Sequence, residues 1–315
     1  MSVAFLTGLG GQDGSYLSER LLAEGWEVHA LVRDEDSPAA YAPDAVVQHI
    51  GDVTRIHEVR DLLLDLAPRA VFNLAALSSV GESWSEPETT MSVNGLAAVG
   101  LLESAWQVQE RHGVEVSFVQ ASSAEIFGSP SGSPQDESTP LAPVNPYGAA
   151  KALAHLAVGV WRGRGLRASS LVLYNHESPR RGRQFVTRKI TSTVAAIARG
   201  EADELVLGNL DARRDWGWAP DYVDAMVRAA GADVASDYVV ATGQGHSVRD
   251  FVEAAFSAVG ITDWEGRVRS DPEFFRPVDA VSLVGDSSRI RERLGWAPTV
   301  GFEEIVARMV AADLG

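Results

Sequence analysis

The chain has 315 residues, enough to bury a substantial core as one large domain or two intimately joined ones. It contains no cysteine, which excludes disulfides, thiolate metal sites and a cysteine nucleophile, and fits a reducing compartment. A formal net charge of −16 sets the overall field against nucleic acid and membrane surfaces, so neither is expected as a partner.

From the N-terminus, short apolar runs alternate with longer amphipathic ones. Residues 3–6, 27–32, 70–74, 116–120 and 168–173 read as strands, and 13–24, 54–67, 90–112 and 146–163 as helices. The alternation predicts an α/β chain with a parallel sheet covered by helices on both faces. The first apolar run leads straight into Gly8 and is too short for a signal sequence, and no later stretch is long enough to span a bilayer, so a cytoplasmic protein is expected. Residues 129–140 are rich in Ser, Pro and Gly and precede the 146–163 helix, as a lid or as a plain surface connection. Beyond 173 the pattern loosens into helices near 184–200, 220–231, 247–259 and 302–313, with strands near 204–207 and 237–241. The division expected is 1–174 as one domain, with 214–243 returning to it, and 175–315 as a smaller, mainly substrate-binding domain interleaved with the first.

The run Gly8-Leu-Gly-Gly11-Gln12-Asp13-Gly14 follows the first strand at once and opens the first helix. Glycines there let the backbone approach a pyrophosphate, and the helix N-terminus supplies amide donors and a positive dipole end, so a Rossmann-type dinucleotide site is expected. At the tip of the second strand, Val32 and Arg33 favour NADP, because an arginine there can pair with a 2′-phosphate. Asp34, Glu35 and Asp36 follow immediately and would repel that phosphate, which keeps NAD open. Asp52, with Val53 after it, is placed to accept from an adenine amine, and Asn73-Leu74-Ala75-Ala76 offers backbone to line the cofactor.

Tyr147 and Lys151 are four apart, hence one turn apart on one helix face. A phenol titrates near ~10 and serves as a base at neutral pH only if positive charge stabilises the phenolate, so Lys151, together with an oxidised nicotinamide, is expected to lower the Tyr147 pKa. Asn145-Pro146 fits a cap followed by a first helical residue. Ser123-Ala124-Glu125 adds a hydroxyl and a carboxylate. Phenol, ammonium and hydroxyl suit hydride chemistry; the carboxylate asks for more. Arg180, Arg181, Arg183, Arg188 and Lys189 fall within ten residues, either as a solvated basic helix start or as an anion site. No pair of histidines has a convincing ligand spacing, so no metal is expected.

With these motifs in order, the chain resembles the extended short-chain dehydrogenase/reductases and, more narrowly, the GDP-mannose 4,6-dehydratase family. The specific match lies in Asn175-His-Glu-Ser-Pro-Arg-Arg-Gly182, Phe185-Val-Thr-Arg-Lys-Ile-Thr191, Leu207-Gly-Asn-Leu-Asp-Ala212, Arg214-Asp-Trp-Gly217, Thr242-Gly, His246-Ser-Val-Arg249 and Arg276-Pro277. The resemblance implies Ser123, Glu125, Tyr147 and Lys151 as catalytic residues, and His176 among the cofactor contacts. It implies a nucleotide-sugar substrate held by Ser78, Glu125, Asn175, Val186, Lys189, Leu207, Gly208, Asn209, Arg214, Arg276 and Asp279. It also implies a homodimer through helices near 90–112 and 146–163. There are departures. The family usually carries Thr-Ser-Glu at Ser123-Ala124-Glu125 and Gln-Ser-His at Leu77-Ser78-Ser79, and a second arginine with a longer basic loop after the second strand, a loop that helps it form tetramers.

The reaction implied is an internal redox dehydration of GDP-D-mannose to GDP-4-dehydro-6-deoxy-D-mannose. Tyr147 takes the C4 hydroxyl proton and Ser123 holds the forming carbonyl. Glu125 takes the C5 proton and helps the C6 hydroxyl leave as water. A nucleotide-sugar 4-reductase, an epimerase, another 4,6-dehydratase, or a dinucleotide-sensing regulator are the alternatives.

Overall fold

The computed structural model describes residues 2–33, 41–130, 132–274 and 282–315. The acidic run Asp34 to Asp36 and the candidate contacts Arg276 and Asp279 lie outside the described residues.

The chain runs β1 (Val3–Thr7), α1 (Gln12–Ala23), β2 (Glu27–Val32), β3 (Val47–Ile50), α2 (Ile56–Leu66), β4 (Ala70–Asn73), α3 (Pro87–Met91), α4 (Ala97–His112), β5 (Ser117–Ser123), α5 (Pro146–Gly163) and β6 (Arg167–Leu173). It continues through β7 (Asn175–Glu177), α6 (Val186–Ala198), β8 (Leu205–Leu207), β9 (Arg213–Trp218), α7 (Ala219–Gly231) and β10 (Asp237–Val240). The last elements are β11 (Gly245–Ser247), α8 (Val248–Ala258), β12 (Val268–Ser270), β13 (Ser282–Leu283), α9 (Ser288–Leu294) and α10 (Phe302–Leu314).

Seven strands form one sheet in the order β10-β6-β5-β4-β1-β2-β3, every pair parallel. Its central strands are apolar on both faces because both are covered. Leu6, Phe72 and Val119 point to α1 and α7, packing with Leu17, Leu21, Tyr222 and Met226. Their neighbours Phe5, Val71 and Phe118 point the other way, to α2, α4 and α5, with Leu63, Leu101 and Val158. The predicted α/β architecture with a doubly covered parallel sheet is the one observed. β3 escaped the sequence reading because Val47, Gln48 and Ile50 are exposed at the sheet edge, and such a strand carries little apolar pattern. The predicted 90–112 helix contains a wide turn at Ser92–Leu96, where the Asn94 amide both donates to the Leu77 carbonyl (2.9 Å) and accepts from its N–H (2.8 Å).

β9 pairs with β7, β11 and β13 in a second, small sheet, and α6, α8 and α10 pack beside it around Trp216, Phe251 and Phe302. α8 starts at a capping box between Ser247 and Asp250, and α4 stops where Gly113 turns left-handed at φ 60°. Two buried polar groups tie this assembly to the large sheet. Asp215, fully buried, accepts from the Thr242 N–H (2.8 Å) and hydroxyl (2.6 Å), the Gly243 N–H (2.9 Å) and the Gly285 N–H (3.3 Å). Gln135, also fully buried, accepts from the Tyr174 hydroxyl (2.9 Å), and its backbone exchanges bonds with Val284 and Asp286. Within 129–140 none of the described residues lines the central cavity, and Gln135 is held by backbone hydrogen bonds to Val284 and Asp286, which fits the surface-connection reading.

Replacing Asp215 by alanine leaves the N–H groups of Thr242, Gly243 and Gly285 without their acceptor; the Gly285 bond is the buried one of the three, and its loss costs about 1–3 kcal/mol. The expected outcome for Asp215→Ala is a loss of about 1–3 kcal/mol of unfolding free energy in urea titration, with the slope unchanged.

Candidate active site

The carboxyl ends of β1, β4 and β5 are levelled by a buried polar ladder. Thr7 donates to Asn73 (2.8 Å), Asn73 donates to Gln120 (2.8 Å), and the Leu74 and Ala75 N–H groups return to the Thr7 hydroxyl. The chain leaving β4 is thereby drawn against the glycine turn. Gly8 sits at φ 81°, and a Cβ on it would stand 2.8 Å from the Leu74 carbonyl carbon. A Cβ on Gly14 would stand 2.2 Å from the Gly8 oxygen. Gly11 caps α1 with no side chain, so the first-turn amides of that helix face outward with nothing in front of them from their own cap. A cradle that admits only glycine, ending on a helix N-terminus, fits a dinucleotide pyrophosphate.

The other end of that groove is set by Arg33 and Asp52. Arg33 is exposed at the β2 tip, and its charge helps keep Asp52 below the usual carboxylate range, though the hydrogen bonds from the Thr54 N–H and hydroxyl do more. Val53, expected as a contact, points its side chain into the core with Leu31 and Phe5, so only its backbone remains for a ligand.

Ser123 ends β5, and Glu125 lies in the short turn after it, with the Glu125 N–H donating to Ser123 Oγ (3.2 Å). Asn145 and Pro146 open α5 as the sequence implies, Asn145 Oδ1 accepting the Gly148 N–H at 2.7 Å. Gly148 brings this helix start against the Glu125 turn so closely that a Cβ would lie 2.5 Å from the Glu125 carbonyl oxygen. Tyr147 then reaches the Ser123 hydroxyl, and Asn145 Nδ2 donates to Glu125 Oε2 at 2.9 Å. One turn on, Lys151 Nζ donates to the Ala121 carbonyl (2.8 Å) and lies 5.8 Å from the Tyr147 ring centre. All four residues expected to be catalytic meet at one end of the cavity.

The electrostatics correct one expectation. Tyr147 is pushed up to about 12, not lowered, because burial disfavours the phenolate and Glu125 adds negative charge. The Ser123 hydrogen bond and the Arg181 guanidinium pull the other way without overcoming burial. Lys151 is itself pushed down to about 8 by burial, with partial relief from Asp13.

A cavity of about 800 Å³ opens from these residues toward α6. Asp13, Leu74, Ala76, Ser78, Asn175 and His176 wall its inner part, and Val186, Lys189, Leu207, Gly208, Asn209 and Arg214 its outer part. Gly8, Gly11, Gln12, Gly14, Arg33, Asp52, Val53 and Ala75 do not line it. His176 stacks on Tyr222 and pairs with Asp13 (2.9 Å), while Gln12 donates to the His176 carbonyl and accepts from Ser178. The pairing raises His176 and lowers Asp13 against the opposing effect of burial. The basic cluster splits between both readings. Arg188 is bound to Asp313 (2.7 Å) and Arg180 to Glu19 (2.7 Å), as structural pairs, whereas Arg181, Arg183 and Lys189 line the cavity. Sequence reasoning missed Ser122, a buried hydroxyl in the cavity wall without a hydrogen-bond partner, and read Asn145 only as a cap. Among the described residues, no group of His, Cys, Asp or Glu is arranged to hold a metal, and no helix is long and apolar enough to cross a membrane.

Lys151 titrates near 10.5 when unfolded and at about 8 when folded, so between those values the folded chain binds fewer protons. This group therefore contributes a rise in the stability of the ligand-free protein with pH across that window, of order 3 kcal/mol, while the raised Tyr147, Tyr174 and Tyr222 act the other way once pH nears 10. In urea unfolding, the stability of the parent relative to Lys151→Met is expected to increase from about pH 8 to pH 10.5.

The model of the family described as GDP-mannose 4,6 dehydratase matches residues 5–309. The Arabidopsis thaliana protein "GDP-mannose 4,6 dehydratase 1" is 41% identical over 325 residues, covering 99% of this chain and 90% of its own. The Homo sapiens "GDP-mannose 4,6 dehydratase" is 40% identical over 342 residues, covering 99% and 91%. Among solved structures, the Thermus thermophilus UDP-glucose 4-epimerase in complex with NAD superimposes with a TM-score of 0.86 at 28% identity, covering 99% of each chain. With a match of that extent over a sheet whose carboxyl edge carries Ser123, Glu125, Tyr147 and Lys151, the chain belongs to the GDP-mannose 4,6 dehydratase family.

Proposed function

We propose that this chain is a lyase that converts GDP-D-mannose to GDP-4-dehydro-6-deoxy-D-mannose with a nicotinamide dinucleotide that is regenerated each cycle. The observation that carries the reading is the Glu125 carboxylate lining the same cavity end as Tyr147, Ser123 and Lys151. A phenol, ammonium and hydroxyl suffice for oxidation at C4, whereas water loss across C5 and C6 needs a further acid–base group.

A bound nicotinamide dinucleotide would supply the hydride acceptor for oxidation at C4 and the hydride donor for reduction at C6. Tyr147 takes the C4 hydroxyl proton, and Ser123, already bonded to Tyr147, donates to the forming C4 carbonyl. Lys151 is bonded to the Ala121 carbonyl and set beside the phenol ring, so its charge favours phenolate only as far as burial allows. The 4-keto group acidifies C5. Glu125 removes that C5 proton and passes it to the C6 hydroxyl, which leaves as water; the proton Tyr147 took from the C4 hydroxyl is the one returned to C5, which restores Tyr147 and Glu125 to their starting states. One water is lost overall.

Residues 1–174, with 214–243, are proposed to bind the dinucleotide, and 175–315 mainly the nucleotide sugar. Support comes from the glycine cradle under α1 and from Asn175, Val186, Lys189, Leu207, Gly208, Asn209 and Arg214, which line the cavity. NADP is the proposed cofactor on the strength of Arg33 at the β2 tip. A homodimer is proposed through the α4 and α5 layer, where Leu96, Leu156 and Val160 are exposed apolar side chains. No cytoplasmic marker is required by this reading, though its substrate class fits that compartment.

Mass detection of the product after incubation with GDP-mannose is expected to show loss of one water without net consumption of added NADPH. Glu125→Gln is expected to cut turnover to the 4-keto-6-deoxy product by at least about 100-fold, within the range for a general acid–base residue. Full turnover by that variant would refute the assignment. Arg33→Ala is expected to weaken NADP binding more than NAD binding, read by calorimetry.

A further inference from the structure

The first turn of α5 does two jobs with one side chain. Asn145 is buried, 6% exposed, and its Oδ1 accepts the Gly148 N–H at 2.7 Å while its Nδ2 donates to Glu125 Oε2 at 2.9 Å. The amide has one chemically sensible orientation here: the Gly148 N–H needs an acceptor and the carboxylate needs a donor, so the two contacts fix each other. A cap alone does not call for this residue, since serine or aspartate would accept the Gly148 N–H as well. Aspartate has no donor to offer the carboxylate, and the serine hydroxyl, carried on Cβ, stops one bond short of the Nδ2 that reaches it.

We propose that Asn145 is a positioning residue for Glu125, holding one carboxylate oxygen so that the group meets the substrate's C5 proton in a set orientation. This rests on the role proposed above for Glu125. The geometry around the pair is rigid enough for the contact to matter. Gly148 lies against the Glu125 carbonyl, the Ala142 N–H donates to the Ile126 carbonyl at 3.0 Å, and Gly128 abuts the Ala142 carbonyl so closely that no Cβ fits between them. The Glu125 turn and the α5 start therefore move as one body, and the amide bond between them sets the one soft element left, the glutamate side chain. A bond from an amide N–H to a carboxylate oxygen is charge-assisted, so it holds the orientation of the glutamate side chain more firmly than a bond to a neutral acceptor would.

The variants that separate this role from capping are Asn145→Ser and Asn145→Asp, both good caps. Isotope effects on the two bond-breaking steps supply the readout. With C5-deuterated GDP-mannose, the variants are expected to lose roughly 10- to 100-fold in kcat with KM and thermal midpoint little changed, and to show an enlarged C5 isotope effect. With C4-deuterated substrate, the effect is expected to shrink, since oxidation is no longer limiting. Asn145→Asp should fall further than Asn145→Ser, because a second carboxylate then faces Glu125 Oε2. Parent kcat and isotope effects in both variants, or a loss accompanied by an enlarged C4 effect, would overturn the proposal, the latter by assigning Asn145 to the Tyr147 side. If Glu125→Gln keeps parent turnover, the reading of Glu125 fails first. If Glu125→Gln stalls while both Asn145 variants match the parent, this inference alone is lost.

Discussion

The close approach at Gly148 is the constraint on which the active site depends. With no Cβ, the first turn of α5 rests on the Glu125 carbonyl, and that contact decides the distance between everything α5 carries and everything β5 carries. Tyr147 reaches Ser123, and Lys151 reaches Ala121, only because the helix enters at that height. Any side chain at position 148 must move backbone, which is stiff, so the site is built on two rigid elements and not on a flexible loop.

A second level of organisation joins the small sheet to the large one through buried polar groups. Asp13 and His176 pair across the cavity wall, and Asp215 collects N–H and hydroxyl donors from two separate segments. Each is costly to bury and well satisfied, so each specifies one arrangement of the chain more sharply than apolar contact could. The cavity lies between the elements they join, which is why residues from α1 to β13 line a single space.

Burial explains the chemistry as well as the packing. Removing Tyr147 and Lys151 from water opposes charge on both, raising the phenol and lowering the ammonium. A helix-spaced tyrosine–lysine pair is thus not a ready-made base. The phenol depends on nearby positive charge, including Arg181 from the chain beyond β7, to become one. Spacing alone predicted the opposite direction because it counts charges and not solvent.

Much of this protein is determined by the sequence alone. Apolar runs of strand length separated by helical periods could satisfy their backbone and bury their side chains only as a doubly covered parallel sheet, and Gly8 and Gly14 mark a turn where any side chain would collide. The Asn145-Pro146 start of α5 and the shared face of Tyr147 and Lys151 were legible for the same reason: local spacing on one element dictates which side chains share a face, whereas the catalytic roles of Ser123 and Glu125 came from the resemblance to the family. Other features were decided only by tertiary structure, because they join residues far apart in the chain. The edge strand β3 carries too little apolar pattern to announce itself. The basic cluster divides between Asp313 and Glu19 on one side and the cavity on the other, according to which partners the fold brings near. The pinning of Gln135 and the second contact of Asn145 belong to the same class: a hydrogen bond is a matter of ångströms in space, and sequence distance carries no record of it.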